Sequence, residues 1–242
     1  MSVTRKQDWV DCVLTGHDET FGLCKGQEQP VPFGVGVGTD IGGATIVRQL
    51  ATGGMGQVYE ALQHAPARRV AVKFLRGCGD SAARRRLLEE AALLARVKHV
   101  NIAHVYTVGN YRAHGQTYQW IMMELVENAC SISEYAEKLN LSLVRRVRLV
   151  LDAIDAIATA HSKGIIHLDI KSANVLVAGD GSVKVIDFGI GRMLTETQNN
   201  GHMVGEVRGT PACMSPEQRS GFDELIDARS DIYGMGLLCA DL

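Results

Sequence analysis

The sequence predicts an α+β chain of two lobes, a small β-rich lobe with one main helix followed by a mainly helical lobe. Three observations carry that expectation. Apolar, β-branched runs bounded by turn residues crowd the stretch from Ile46 to Leu125. One charged, leucine- and alanine-rich segment at helical spacing, residues 81–97, interrupts them. Beyond Leu125 the strand pattern gives way to helical periodicity, longest over residues 142–163.

Taken in order, residues 1–45 read as an N-terminal extension of no assigned role, with one short helix around Trp9 to Leu14. Its end, Phe33-Gly34-Val35-Gly36-Val37-Gly38, reads as a flexible linker. Strands are expected at Ile46–Leu50, Gln57–Leu62 and Val70–Phe74, the first two joined by a glycine turn. In the helix that follows, Leu87, Leu88, Ala91, Leu94 and Ala95 share an apolar side. Two further strands are expected at Ala103–Val108 and Gln119–Leu125. The long helix over residues 142–163 would bury Val147, Leu151, Ile154 and Ala158. Short strands at Asn174–Val177 and Val183–Ile186 flank a turn, and no internal repeat is evident.

Composition narrows the classes. The chain has 242 residues, 46% hydrophobic and 21% charged, which is ordinary globular usage and enough to bury a substantial core. A net charge of −2 gives no global field for nucleic acid or an anionic membrane. The arginine runs at Arg84, Arg85 and Arg86, and at Arg145, Arg146 and Arg148, read as solvated helix faces. Of the six cysteines no two are spaced C-x-x-C, so reduced thiols in a cytoplasmic setting fit better than a disulfide framework or a thiolate metal site. The charged N-terminus lacks the apolar core of a signal peptide, and no apolar run approaches the length of a membrane span.

The residues that carry chemistry stand in an order that suits phosphoryl transfer, which needs phosphate positioning, charge neutralisation, a metal grip and an aligned acceptor. The glycine turn runs from Leu50 through Gly53, Gly54 and Gly56 to Val58, and glycines let backbone N–H groups approach phosphate oxygens. Val70-Ala71-Val72-Lys73 ends an apolar strand on a lysine. Glu90, 17 residues later on the apolar-sided helix, can hold that lysine, whereas Glu89 points elsewhere. The most specific segment is His167-Leu168-Asp169-Ile170-Lys171-Ser172-Ala173-Asn174, with Asp187-Phe188-Gly189 beginning 13 residues after Asn174. Asp169 can accept or orient a hydroxyl proton, and Lys171 can stabilise a transferring phosphoryl group. Asn174 and Asp187 supply hard oxygen ligands suited to Mg²⁺.

Together these motifs resemble the Hanks-type protein kinases, most closely the bacterial serine/threonine branch, from about Ile46 to the chain end. Further matches are His99-Val100-Asn101-Ile102, the hinge-like Met123-Glu124-Leu125-Val126, Gly209-Thr210-Pro211 leading to Ser215-Pro216-Glu217, and Asp231-Ile232-Tyr233. The resemblance implies a bilobal protein-kinase-like fold over residues 46–242, with an N-lobe over about 46–123 and a C-terminally incomplete C-lobe over about 124–242. It implies ATP with Mg²⁺ or Mn²⁺ as cofactors and a protein carrying a Ser/Thr acceptor as substrate. On matching positions, Lys73 and Glu90 become the phosphate-gripping pair, and Asp169 the catalytic base with Lys171 and Asn174 as partners. Asp187 becomes the main metal ligand, with Asn174 the second. Val58, Ala71 and Leu176 would sandwich the adenine. Met123 would be the gatekeeper, with Glu124 and Val126 offering backbone hydrogen bonds to the purine. Leu94, Phe188 and His167 would stack as an apolar spine, which makes His167 structural; the other histidines show no partner pattern. Lys171 and the Gly209-Thr210-Pro211 segment point to serine/threonine acceptors over tyrosine, with Thr210 shaping the acceptor site near Asp169 and Lys171.

Departures from the pattern bear on regulation and completeness. Ala51 replaces the first glycine of the turn, Cys213 a common tyrosine, and Leu168 the arginine that usually pairs with a phosphorylated loop. Arg192 is left as one phosphate contact for Thr195 or Thr197. The sequence stops at Leu242, so the family's remaining helices are missing from it, and an exposed apolar base that a partner or missing segment covers is expected. Two competing readings are a truncated, inactive ATP-binding scaffold and a small-molecule phosphotransferase. The retained Lys73, Asp169, Asn174 and Asp187 disfavour the first, and the Gly209 to Glu217 segment disfavours the second.

Overall fold

A computed structural model describes residues 34–53, 56–75, 89, 91–188, 213–220 and 223–242. The first lobe is a six-stranded antiparallel sheet in the order β1-β2-β3-β4-β6-β5. Its strands are β1 (Asp40–Ile41), β2 (Ala44–Gly53), β3 (Gly56–Gln63), β4 (Arg68–Leu75), β5 (Val105–Ala113) and β6 (Gln116–Glu124). Each strand expected here is present, and most are longer than the apolar pattern alone suggests. Backbone pairing carries a ladder through polar ends that hydropathy does not mark.

Alternation along β4 explains why the sheet is buried on both faces. Val70, Val72 and Phe74 join Ile41, Ala44, Ile46, Tyr59, Trp120 and Met122 on one face. Ala71 and Leu75 turn to the other, with Leu94, Val97, Ile121 and Met123. Phe74 makes edge-to-face contacts with Tyr59 and Tyr111 at 5.7 and 5.9 Å between ring centroids.

The stretch expected to be a flexible linker instead closes the outer face, as far as it is described. Val35 and Ile41 are core residues, Gly38 N–H donates to Ile46 O at 2.8 Å, and Ile46 N–H donates to Thr39 O at 2.9 Å. Gly42 lacks a side chain because Trp120 lies there: a Cβ on Gly42 would meet the indole at 2.3 Å, as would one on Gly109. Trp120 thus fills a notch between two glycines that composition alone marks as flexible. The short helix expected near Trp9 lies outside the described residues.

The second lobe begins with β7 (Cys130–Ser131), which pairs with β8 (Val175–Val177), itself paired with β9 (Val183–Val185). Helix α1 (Ile132–Lys138) starts at a capping box: Ser131 Oγ accepts from Glu134 N–H, and Glu134 Oε2 accepts from Ser131 N–H. Helix α2 (Leu143–His161) is the long helix, followed by α3 (Pro216–Ser220) and α4 (Ala228–Asp241). Asp227 caps α4 by accepting from Arg229 N–H at 2.8 Å.

The buried face of α2 is not the one its spacing suggests. Leu149, Val150, Ala153, Ala156, Ile157 and Ala160 are buried, whereas Val147, Leu151 and Ile154 are 47%, 55% and 41% exposed and Ala158 is exposed too. The helix carries two apolar stripes, and the one containing small alanines lets β9 and α4 approach closely. Leu143 and Val144 extend the exposed stripe. No described helix is long and apolar enough to cross a membrane.

Candidate active site

The site forms where the first lobe's inner sheet face meets the loop after α2. Strand register puts Ala71 opposite Met123, Lys73 opposite Ile121 and Val58 opposite Lys73. The expected purine-side residues Val58, Ala71 and Met123 therefore share one region of the sheet, with Leu50 and Gly53 on β2 beside them. Leu176 approaches from the second lobe on β8. Gly56 has a steric task in the sheet itself: a Cβ there would fall 1.8 Å from Phe74 O, inside the neighbouring strand. Ala51 sits in the β2–β3 ladder opposite Val58 at a register shift, and it is not among the residues with positive φ, so its methyl causes no backbone strain. Gly54 and Glu90 lie outside the described residues; Glu89 is exposed, and Ala91 and Leu94 are buried.

The expected hinge runs over residues 124–126. Glu124 N–H donates to His104 O at 2.8 Å, so any main-chain hydrogen bond from Glu124 to a ligand must be accepted by its carbonyl. Its carboxylate accepts from Lys184 Nζ at 2.5 Å and from His104 N–H at 3.1 Å, tying the hinge to β9. Val126 is half-buried.

The segment expected to be catalytic, 167–174, is held mainly by side-chain hydrogen bonds, with one 3-10 turn at Ser172–Asn174. Asp169 Oδ2 accepts from Asn174 Nδ2 at 2.8 Å and forms an ion pair with Lys171 Nζ at 3.0 Å. Among the described residues nothing donates to Asp169 Oδ1. Asn174 Nδ2 also donates to Asp169 O at 2.7 Å, which turns its amide oxygen away from Asp169. Ile186 N–H donates to Asn174 O at 2.9 Å, so Asn174 and Asp187 are joined through one backbone bond. Asp187 Oδ2 lies 2.7 Å from Lys73 Nζ, bridging the two lobes.

Two non-glycine residues here have left-handed backbones, Leu168 at φ 63° and Asp187 at φ 58°. Such strain persists only where surroundings impose it. Asp231, on α4, holds the first: its carboxylate accepts from Leu168 N–H at 2.7 Å, from His167 N–H at 2.7 Å and from His161 Nε2 at 2.7 Å. Asn101 steadies the strand before Asp187, donating from Nδ2 to Val183 O and accepting at its carbonyl from Val185 N–H.

His167 is fully buried and stacks 4.6 Å from Phe188. Burial holds its pKa below the usual imidazole value, so it is neutral, with Nε2–H donating to Ile186 O and Nδ1 accepting from Asp169 N–H. It is a backbone brace and not an acid or base, as the stacking role implied. Other histidines do have side-chain partners, which the sequence did not reveal: His161 on Asp231, His99 on Asp155 at 3.1 Å and His64 on Thr45 Oγ1 at 2.8 Å. Sequence reading also passed over Gln218, which donates to Leu168 O, and Ser172, whose Oγ accepts from Ser133 N–H. No motif marks either, because both partners are remote main-chain groups. Arg192, Thr195, Thr197 and Thr210 lie outside the described residues.

The donor set suits a hard divalent cation: one carboxylate from Asp187 and one amide oxygen from Asn174, while both ring nitrogens of neighbouring His167 are taken by main-chain groups. Mg²⁺ takes few protein ligands and completes its shell with phosphate and water, so two oxygens fit it. Glu217 accepts from Ser230 Oγ at 2.5 Å, a hydrogen bond that holds its carboxyl below the usual range.

Residues 44–242 match the family model described as protein kinase domain. The serine/threonine-protein kinase PknB of Mycolicibacterium smegmatis is 34% identical over 195 residues, 80% of this chain and 31% of that protein. PknB of Mycobacterium tuberculosis is 34% identical over 189 residues, 77% of this chain and 30% of that protein. The chain thus spans less than a third of the length of these relatives. Among solved structures, the Mycobacterium tuberculosis PknI kinase domain is similar at a TM-score of 0.68 and 25% identity, covering 86% of this chain and 75% of that one. A family match over most of the chain, two lobes folded as that family requires and its charged residues gathered at one junction lead to a single conclusion: the chain belongs to the protein kinase domain family.

Proposed function

We propose that this chain transfers the γ-phosphoryl group of ATP to serine or threonine hydroxyls of a protein substrate. The observation that carries the reading is the arrangement of Asp169, whose Oδ2 is held by Lys171 and Asn174 while Oδ1 faces no described donor. A carboxylate oriented this way can accept the proton of an attacking hydroxyl. Lys171, 3.0 Å from it, offers positive charge where the transferring group gains negative charge. Lys73 would grip the nucleotide phosphates, and Val58, Ala71, Met123 and Leu176 would enclose the base, with main-chain contacts from Glu124 and Val126. Asn174 and Asp187 would hold Mg²⁺ or Mn²⁺, which when bound offsets phosphate charge. Glu90 would pair with Lys73 when the nucleotide is held, and Leu50, Gly53, Gly54 and Gly56 would cover the phosphates.

Finer readings follow from the same proposal. The domain is read over residues 46–242, with residues 1–45 preceding it. A cytoplasmic setting is supported by six cysteines without a C-x-x-C pair. The exposed stripe of Leu143, Val144, Val147, Leu151 and Ile154 supports a partner or further segment over the base of the second lobe.

The test is transfer of radiolabelled γ-phosphate to the chain itself and to a generic basic protein, with Asp187→Ala as control. Label on either acceptor that the variant fails to produce supports the reading. Nucleotide binding without any transfer by the unaltered chain would replace it with the scaffold reading.

A further inference from the structure

Asp169 can serve as a base only if the loop carrying it stays in place, and the residue just before it has a left-handed backbone, Leu168 at φ 63°. Both main-chain groups of Leu168 are tied down, by different elements. Its N–H donates to Asp231 Oδ1 at 2.7 Å, from α4. Its carbonyl accepts from Gln218 Nε2 at 2.9 Å, from α3. Gln218 is 4% exposed, and its other amide atom is also engaged: Oε1 accepts from Ser215 N–H at 2.9 Å. Ser215 is itself fully buried and begins the Ser215-Pro216-Glu217 segment, which on the kinase reading would serve the acceptor.

We propose that Gln218 is a positioning residue for phosphoryl transfer, its amide joining the Leu168 carbonyl to the Ser215 main chain so that the acceptor-side segment and Asp169 are held as one unit. The inference rests on the kinase reading above and concerns what orients its base. The chemistry demands this side chain. One group must donate to a carbonyl and accept from an N–H about one side-chain length away, both in a buried setting. A carboxylate at this position would keep the acceptor but face the Leu168 carbonyl with a second oxygen. A thioether would satisfy neither partner, and an asparagine is one methylene short. Asp231 cannot substitute, because its oxygens already accept from Leu168 N–H, His167 N–H and His161.

The experiment uses the full chain with Gln218→Met and Gln218→Glu beside the unaltered protein. Turnover on a generic basic protein, KM for ATP, thermal midpoint and amide hydrogen exchange over residues 167–171 are measured. The expected result is a ten- to hundredfold fall in kcat for both variants, with KM for ATP within about twofold. The amides of residues 167–171 should exchange faster while those of β4 do not change. A merely structural role would instead lower kcat in proportion to the folded fraction and recover it at a temperature where the variant is fully folded. That recovery, or kcat within about twofold of the parent in a folded variant, overturns the proposal. If Gln218→Met fails to fold, Gln218→Glu decides by the same criteria. Should neither fold, Gln218 is a stability residue and the proposal falls. If the unaltered chain transfers no phosphate, the kinase reading fails on its own, and exchange still decides the tether: equal protection of residues 167–171 in parent and variant overturns it.

Discussion

The two lobes bury their apolar residues in opposite ways. In the sheet lobe, β4 sends alternate side chains into two covered faces, and Phe74 is wholly inaccessible. In the helical lobe, α2 covers one apolar stripe and leaves another open, with Leu151 55% exposed. The 167–174 segment, proposed to be catalytic, belongs to neither scheme. It is held by carboxylates and amides acting on main-chain groups, Asp231 on His167 and Leu168, Asn174 on Asp169 and Gln218 on Leu168. Packing and the geometry of the proposed site therefore rest largely on different residues.

The sharpest disturbance of geometry alone is Asp169→Ala. It should lower kcat by about 10²–10⁴-fold, the range for a lost general base, with nucleotide affinity within about twofold. Equal turnover in variant and parent would remove Asp169 from the chemistry.

Packing is separated by a matched pair. Phe74→Ala in the closed lobe should cost about 3–5 kcal/mol, the usual loss for a buried aromatic ring. Leu151→Ala on the open stripe should change stability by at most about 0.5 kcal/mol, as exposed positions do. Denaturant midpoints at constant slope read both. Similar losses at the two sites would mean that the open stripe is covered in solution.

A smaller effect is expected at the bridge between lobes. Asp187→Asn removes a carboxylate 2.7 Å from Lys73 and should weaken Mg²⁺-dependent nucleotide binding by about tenfold or more. Titrations with and without the cation would check this; affinity that is independent of the metal in both proteins would contradict it.

The smallest concerns pH. Burial depresses the pKa of His167 in the folded chain, whereas the unfolded chain takes up its proton near the ordinary imidazole value of 6.5. The unfolded state thus binds more protons below that value, and stability falls as pH drops through it. The fall from pH 7 to pH 5 should be shallower in His167→Asn than in the parent. Parallel curves would mean that His167 is charged when folded.

What was legible in the sequence follows from how local each feature is. Lys73, Asp169, Asn174 and Asp187 stand in short motifs, and the structure brings Lys73 to Asp187 and Asn174 to Asp169. The strands were legible because β-branched runs announce themselves within a few residues. The buried side of α2 was not, since both stripes satisfy helical spacing and only β9 and α4 decide between them. The role of Gly42 was not legible for the same reason: it depends on Trp120, which is remote in sequence. Gln218 and His161 act on partners many residues away, so no spacing rule picks them out.

Trp120 also gives the molecule a built-in optical probe. The chain has two tryptophans, Trp9 and Trp120, so in Trp9→Phe all indole emission comes from the notch between Gly42 and Gly109. An indole shielded from water should emit at shorter wavelength than a hydrated one, and opening of the sheet lobe would shift its spectrum to the red. Far-ultraviolet circular dichroism is weighted instead toward α2 and α4 in the other lobe. Recording both signals through one melt shows whether the lobes come apart together, since coincident transitions are the mark of a single cooperative unit.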